Sequence, residues 1–102
     1  MQKYLIIATE KDSRYPNSIE HITAYGIYLD RKNERGQWLY EKYTKERFFK
    51  EHYSQDRKYI SYNISDDDSA ELYVVPNNGR PYLKSVASST LTDNLLHLDN
   101  IK

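Results

Sequence analysis

Residues 71–98 read ELYVVPNNGRPYLKSVASSTLTDNLLHL, and this stretch decides the fold. Leu72 and Val74 alternate with Tyr73 and Val75. Pro76-Asn77-Asn78-Gly79-Arg80 then interrupts, and Pro81-Tyr82-Leu83-Lys84-Ser85-Val86 resumes the extended pattern. Asn-Gly between two alternating runs predicts a tight hairpin, because both residues tolerate the positive φ of a primed turn. The two prolines stand at the mouth of the turn, where a missing N–H disturbs the ladder least. Leu91, Leu95, Leu96, Leu98 and Ile101 follow, too apolar for a solvated tail, and are expected to fold back onto the sheet as a strap.

Upstream, residues 59–64 set Ile60, Tyr62 and Ile64 against Tyr59, Ser61 and Asn63, a clean strand alternation. Residues 3–9 (KYLIIAT) suit a central strand. Residues 19–29 predict a long strand with Ile19, His21, Thr23, Tyr25, Ile27 and Leu29 on one face and Ile22, Ala24 and Tyr28 on the other; Gly26 marks a bulge or a close approach. Residues 37–43 (QWLYEKY) fit either strand or helix. A short strand is preferred, with Trp38 and Tyr40 on one side and Leu39 and Tyr43 on the other, because Thr44 is a suitable N-cap for a helix over residues 45–53. That helix would turn Phe48, Phe49 and Tyr53 to the sheet, with His52 beside them. Thr92 is positioned to cap a further short turn. The expected fold is α+β: a single domain over residues 1–102, a small and mostly antiparallel β-sheet of five to six strands packed on one short helix, with a C-terminal apolar strap.

Composition narrows the function classes. The chain has 102 residues, 15 Lys and Arg against 15 Asp and Glu, no cysteine, and eleven tyrosines against two phenylalanines and one tryptophan. Tyrosine buries a large ring but needs a partner for its hydroxyl, so many of these rings are expected at the margin of the core. The absence of cysteine excludes disulfides and thiolate chemistry. No spanning segment or signal peptide is apparent, and a cytoplasmic protein is the expectation. The charge is nonetheless uneven: residues 31–58 carry nine Lys and Arg against five Asp and Glu.

The order of segments resembles a small bacterial family catalogued as a domain of unknown function, found mainly in low-GC Gram-positive bacteria and their mobile elements. Ser18-Ile19-Glu20-His21-Ile22, Thr44-Lys45-Glu46, Gly79-Arg80-Pro81-Tyr82-Leu83-Lys84-Ser85 and Thr92-Asp93-Asn94-Leu95-Leu96 carry the resemblance. It implies a small antiparallel sheet with one helix. It brings no active site, so no catalytic residue transfers.

No constellation of residues carries chemistry securely. His21, His52 and His97 lack metal-ligand spacing. Asp66, Asp67 and Asp68 with Glu71 could gather a divalent cation, but they lack the alternating ligands and central glycine of a calcium loop, and read as a solvated turn. Ser85, Ser88 and Ser89 near His97 have neither nucleophile elbow nor oxyanion glycine. No catalytic, metal or cofactor site is therefore expected. The candidate surface for a partner or for nucleic acid is Trp38, Tyr40, Lys42, Tyr43, Arg47, Lys50, Tyr53, Arg57 and Lys58. Two readings follow. The first is a non-catalytic protein-interaction module; the mobile-element company of the family sharpens it to an inhibitor of a host defence complex, such as an anti-CRISPR protein. The alternative is RNA or single-stranded DNA binding, with cations on phosphates and rings on bases. Against the alternative stands a charged helix face on which Glu41, Glu46 and Glu51 pair with Lys42, Lys45 and Lys50.

Overall fold

The computed structural model describes residues 2–86 and 94–101, the side chain of Asn94 excepted. In chain order the elements are β1 (Gln2–Lys11), a 3-10 turn (Ile19–His21), β2 (Ile22–Lys32), β3 (Trp38–Thr44), a helix, β4 (Arg57–Asn63), β5 (Asp68–Val75), β6 (Tyr82–Ser85), a second 3-10 turn (Asn94–His97) and β7 (Asp99–Asn100). They build one seven-stranded sheet in the order β3-β2-β1-β4-β5-β6, with β7 also paired to β1. The α+β class and the single helix are as read from sequence. Most neighbours are antiparallel, but β1 runs parallel to both β4 and β7. The strap supplies the additional strand: Ile101 N donates to Thr9 O at 2.9 Å, and Leu95 and Leu98 are buried in the core. Leu91, Thr92, Ser88 and Ser89 lie outside the described residues.

The hairpin forms as its turn residues require. Asn78 and Gly79 have φ of 50° and 82°, and Arg80 N donates to Asn77 O at 2.9 Å, which is a type I′ turn. Val75 pairs with Tyr82 and Val74 with Leu83 in register. Thr44 caps the helix, its side chain accepting from Arg47 N at 3.3 Å. The helix starts as a single α-turn (Lys45–Arg47) and widens to π winding over Phe48–His52, with Tyr53 N donating to Phe48 O at 2.8 Å.

Two bulges correct the alternation expected of residues 19–29. Ile6 faces Ile27 while Ala8 faces Gly26, so Ile7 is an extra residue in β1. Glu10 faces Ala24 while Lys11 faces Ile22, so Thr23 is an extra residue in β2. The second bulge turns Ile22 into the core beside Tyr25 and leaves Thr23 exposed, where its hydroxyl bonds Glu10. Ile19 and His21 are not strand at all, because Ser18 closes the 3-10 turn through both His21 N and the His21 ring. Leu29 is likewise exposed.

The helix covers one face of the sheet. There Ile6, Ile22, Tyr25, Ile27, Tyr59 and Leu83 meet Phe48 from the helix and Leu95 and Leu98 from the strap. Tyr25 and Phe48 are both fully buried, with ring centroids 5.1 Å apart in an edge contact. The Tyr25 hydroxyl accepts Leu83 N–H at 3.2 Å, linking β2 to β6 across the core. Tyr25→Phe is expected to strand that buried N–H and lower unfolding stability by about 1–2 kcal/mol, read as a shift in urea midpoint at unchanged slope.

On the opposite face Gly26 is a close approach as well as the partner of a bulge. A Cβ at Gly26 would lie 2.8 Å from Cδ2 and 3.1 Å from Cγ of Tyr40, and 3.2 Å from Ala8 Cβ. The contacts are at the root of the Tyr40 ring, which cannot swing aside without leaving its place on the sheet. Gly26→Ala is expected to cost about 1–3 kcal/mol despite the better strand propensity of alanine, and Tyr40→Ala in the same chain should recover part of that loss in a double-mutant cycle.

Candidate functional site

Strand parity divides the sequence-derived surface in two. Tyr59 and Ser61 face the core, so Lys58, Ile60 and Tyr62 point to the other side. Tyr25 and Ile27 face the core, so Tyr28 points away; it pairs with Tyr40, and Gly26 pairs with Lys42. Trp38, Tyr40, Lys42 and Lys58 therefore stand on the face opposite the helix. Tyr43, Arg47, Lys50, Tyr53 and Arg57 belong to the helix side. The nine residues do not form one patch.

The helix-side members are engaged with one another. Arg47 lies over the Tyr43 ring at 4.4 Å and pairs with Glu51 at 2.7 Å and Glu41 at 3.8 Å. Glu41 and Glu51 thus pair with Arg47 rather than with the lysines expected from sequence, Glu46 has no ion pair among the described residues, and Lys42 pairs with Glu10 instead. Tyr53 stacks on Tyr59 at 5.8 Å, and Arg57 lies 5.2 Å over Tyr4 while donating to His52 O at 2.5 Å. Lys50 is exposed on the helix.

His52 is the centre of this ring cluster. Tyr4, Tyr43, Phe48 and Tyr59 surround its imidazole at 4.7, 5.1, 5.7 and 5.7 Å. The Tyr59 hydroxyl donates to His52 O at 2.9 Å and lies 3.0 Å from Nδ1. With the hydroxyl hydrogen on the carbonyl, Nδ1–H is the donor to the Tyr59 oxygen. Burial, and then the charge of Arg57, push the imidazole below its ordinary value, with Glu41 acting weakly the other way.

The opposite face, which no element of the described residues covers, carries further aromatic residues that the sequence reading did not select. Leu72 and Val74 pack against the core, so Tyr73 points outward; it pairs with Lys84 and is 43% exposed. Tyr28 and Trp38 are in contact at 5.4 Å, and Lys32 lies over the indole at 4.4 Å. Tyr28 donates to Asp30 and Tyr62 to Asp67, each hydroxyl pushed up first by that bond. Leu5 and Ile60 fill the middle of the face, half-buried, as Tyr28, Trp38, Tyr40 and Tyr62 are. Of the cations on this face, Lys42 pairs with Glu10 at 3.0 Å and Lys58 with Glu71, whereas Lys3 and Lys84 are exposed with no carboxylate within ion-pair distance among the described residues. The signal that finds Tyr28, Tyr62 and Tyr73 is period-2 parity, counted from whichever neighbour the helix covers.

A trough of about 500 Å³ is lined by Ile7 and Ala8 of β1, by Trp38, Leu39 and Tyr40 of β3 with the turn before it, and by Ile64, Ser65 and Asp99. Asp67 sits in a left-handed turn at φ 51°, whereas Asp68 already belongs to β5 opposite Asn63, so the acidic run is divided between turn and strand. Among the described residues no three His, Asp or Glu side chains gather as a metal site would require. His97 is exposed and Ser85 is buried in β6. No helix of the described residues is long and apolar enough to cross a membrane.

A family model described as "Protein of unknown function (DUF3892)" matches residues 5–99. The chain belongs to that family. The match spans every strand of this DUF3892 sheet, at least in part, and the helix between them. No curated protein and no solved structure matches the chain.

The His52 cluster makes a pH prediction with a definite sign. In the unfolded chain an imidazole takes up its proton near pH 6.5, and the folded protein resists that proton. Stability is therefore full above that pH and falls as pH is lowered through it towards the depressed folded value. Glu10 and Asp12, both held low by cationic partners, lose their contribution only at more acidic pH. Urea midpoints measured between about pH 7.5 and 5 should decline, and His52→Gln should flatten the decline in that window.

Proposed function

We propose that this chain is a non-catalytic cytoplasmic module that binds a protein partner on its uncovered sheet face. One observation carries the reading: among the described residues, the helix and strap cover a single face, and the other keeps Tyr28, Trp38, Tyr40, Tyr62 and Tyr73 around Leu5 and Ile60. Tyrosine and tryptophan are the side chains that contribute most at protein interfaces, since each offers a large rigid ring at low entropic cost. An apolar, aromatic middle with a rim of partly matched charges suits a protein surface. A strand of phosphates would instead favour cations without carboxylate partners; here Lys42 and Lys58 each have one, and Lys3 and Lys84 stand without one among the described residues.

In its narrower form, resting on the family resemblance alone, the partner is a component of a host defence complex. RNA or single-stranded DNA binding is the competing outcome, and the division of the basic residues by the sheet counts against it.

The test is a quantitative pull-down from bacterial lysate with the wild-type chain, Trp38→Ala, Tyr73→Ala and the helix-side control Lys50→Ala. Expected is a protein retained by wild type and Lys50→Ala, tolerant of raised salt, and weakened at least about tenfold by either open-face change. Retention of nucleic acid that falls steeply with salt, or loss confined to Lys50→Ala, would overturn the proposal.

A further inference from the structure

Away from the trough, three segments distant in sequence meet at a cleft of about 480 Å³, a volume suited to a small molecule. The 3-10 turn brings His21, the start of the helix brings Lys45, and the tip of the β5–β6 hairpin brings Asn77 and Arg80. The walls are tied together through one residue. Lys45 Nζ donates to Glu20 O at 2.7 Å, and Asn77 Nδ2 donates to Glu20 Oε1 at 2.8 Å.

We propose that this cleft binds a small ligand through a phosphate or carboxylate group held between Arg80 and Lys45, with His21 beside it. Two cations share the cleft, and the Arg80 guanidinium has no carboxylate within ion-pair distance among the described residues. Burial pushes the Lys45 ammonium down, Glu20 draws it back, and the charge of Arg80 pushes it down again. An oxyanion placed between them turns that repulsion into two attractions. Guanidinium adds a two-pronged donor that matches either oxyanion, and ammonium adds a compact charge.

His21 is already oriented for such a role. Its Nδ1 lies 2.8 Å from Ser18 Oγ and its ring stacks on Tyr15 at 4.0 Å, which leaves Nε2 for a ligand. Of the carboxylates lining the cleft, Asp12 is ion-paired with Arg14 at 2.9 Å, while Glu20 accepts from the neutral Asn77 amide and keeps its charge, which acts on Lys45 and opposes an anion. Glu46, exposed at the rim, has no cation within ion-pair distance among the described residues and works against an anion. This site is independent of the proposed protein-binding face, and neither depends on the other being right.

The experiment is a heteronuclear NMR titration of the full chain with inorganic phosphate and, separately, acetate, against sodium chloride at matched ionic strength. Expected are saturable shifts centred on His21, Lys45 and Arg80 with at least one of the two anions; phosphate alone or acetate alone identifies which group the cleft prefers. Arg80→Gln, an exposed change that should fold normally, is expected to weaken the interaction at least tenfold, and Glu46→Gln to tighten it several-fold. Tyr73→Ala should leave it unchanged. Shifts spread over basic residues generally, shifts reproduced by chloride, or an affinity untouched by Arg80→Gln would overturn the proposal.

Discussion

The parallel pairing of β1 with β4 is the constraint on which the rest of the molecule depends. Tyr4 opposite Tyr59 and Ile6 opposite Ser61 place two strands side by side that run the same way, so the chain between them must cross back over the sheet. That crossing contains β2, β3 and the helix, and the helix comes to rest on one face. Phe48 sets it there, fully buried against Tyr25 and Tyr59. Once the helix has chosen that face, period-2 parity determines the side to which every aromatic and basic side chain on β1 to β6 is sent. A patch that looks continuous along residues 31–58 is thereby cut through its middle.

The tyrosines follow from the same arrangement. A small sheet with one helix has much margin and little deep interior. A ring with a hydroxyl can lie at such a margin if the hydroxyl reaches a partner, and partners are within reach at many positions: Gln2 for Tyr4, the Leu83 amide for Tyr25, Asp30 for Tyr28, Glu41 for Tyr43, the His52 carbonyl for Tyr59 and Asp67 for Tyr62. The two phenylalanines lie on the helix, Phe48 fully enclosed as Tyr25 is and Phe49 packed beside it. The π winding over Phe48–His52 belongs to this economy: it closes the Tyr53 N–H onto the Phe48 carbonyl and lays the His52 ring parallel to that of Phe48.

Features set by local chemistry were legible in the amino acids, and features set by distant pairing were not. Asn78-Gly79 announced the I′ turn and Thr44 announced the helix, because each acts on backbone groups two or three residues away. Leu95 and Leu98 announced the strap by being too apolar for solvent. The bulge at Ile7 shows in the sequence only through Gly26 opposite it, and the bulge at Thr23 leaves no mark, since it exists only as a mismatch between two strands; unbroken alternation therefore puts Ile22 on the wrong face. The parallel neighbour of β1 is equally silent in a sequence whose individual strands alternate like antiparallel ones. Tyr28, Tyr62 and Tyr73 were invisible as a group for that reason, and Lys45 and Arg80, which line one cleft, stand 35 positions apart in the chain.

An uncovered apolar sheet face ordinarily invites aggregation, so its persistence here needs a physical reason. Part of the reason lies at the edges. β6 is only four residues long, and β3 carries Glu41 and Lys42 exposed along the other edge. The rest lies in the choice of rings. Leucine or isoleucine across the whole face would be held from water by nothing but a partner, whereas hydroxyls bonded to Asp30 and Asp67 and a lysine laid over the Trp38 indole keep these rings partly solvated in the free molecule. Only the flat remainder of each ring and the small aliphatic centre at Leu5 and Ile60 would then be desolvated on contact. A face built this way keeps its rings partly hydrated in the free chain and still holds apolar area that a complementary surface would cover, which a buried core does not.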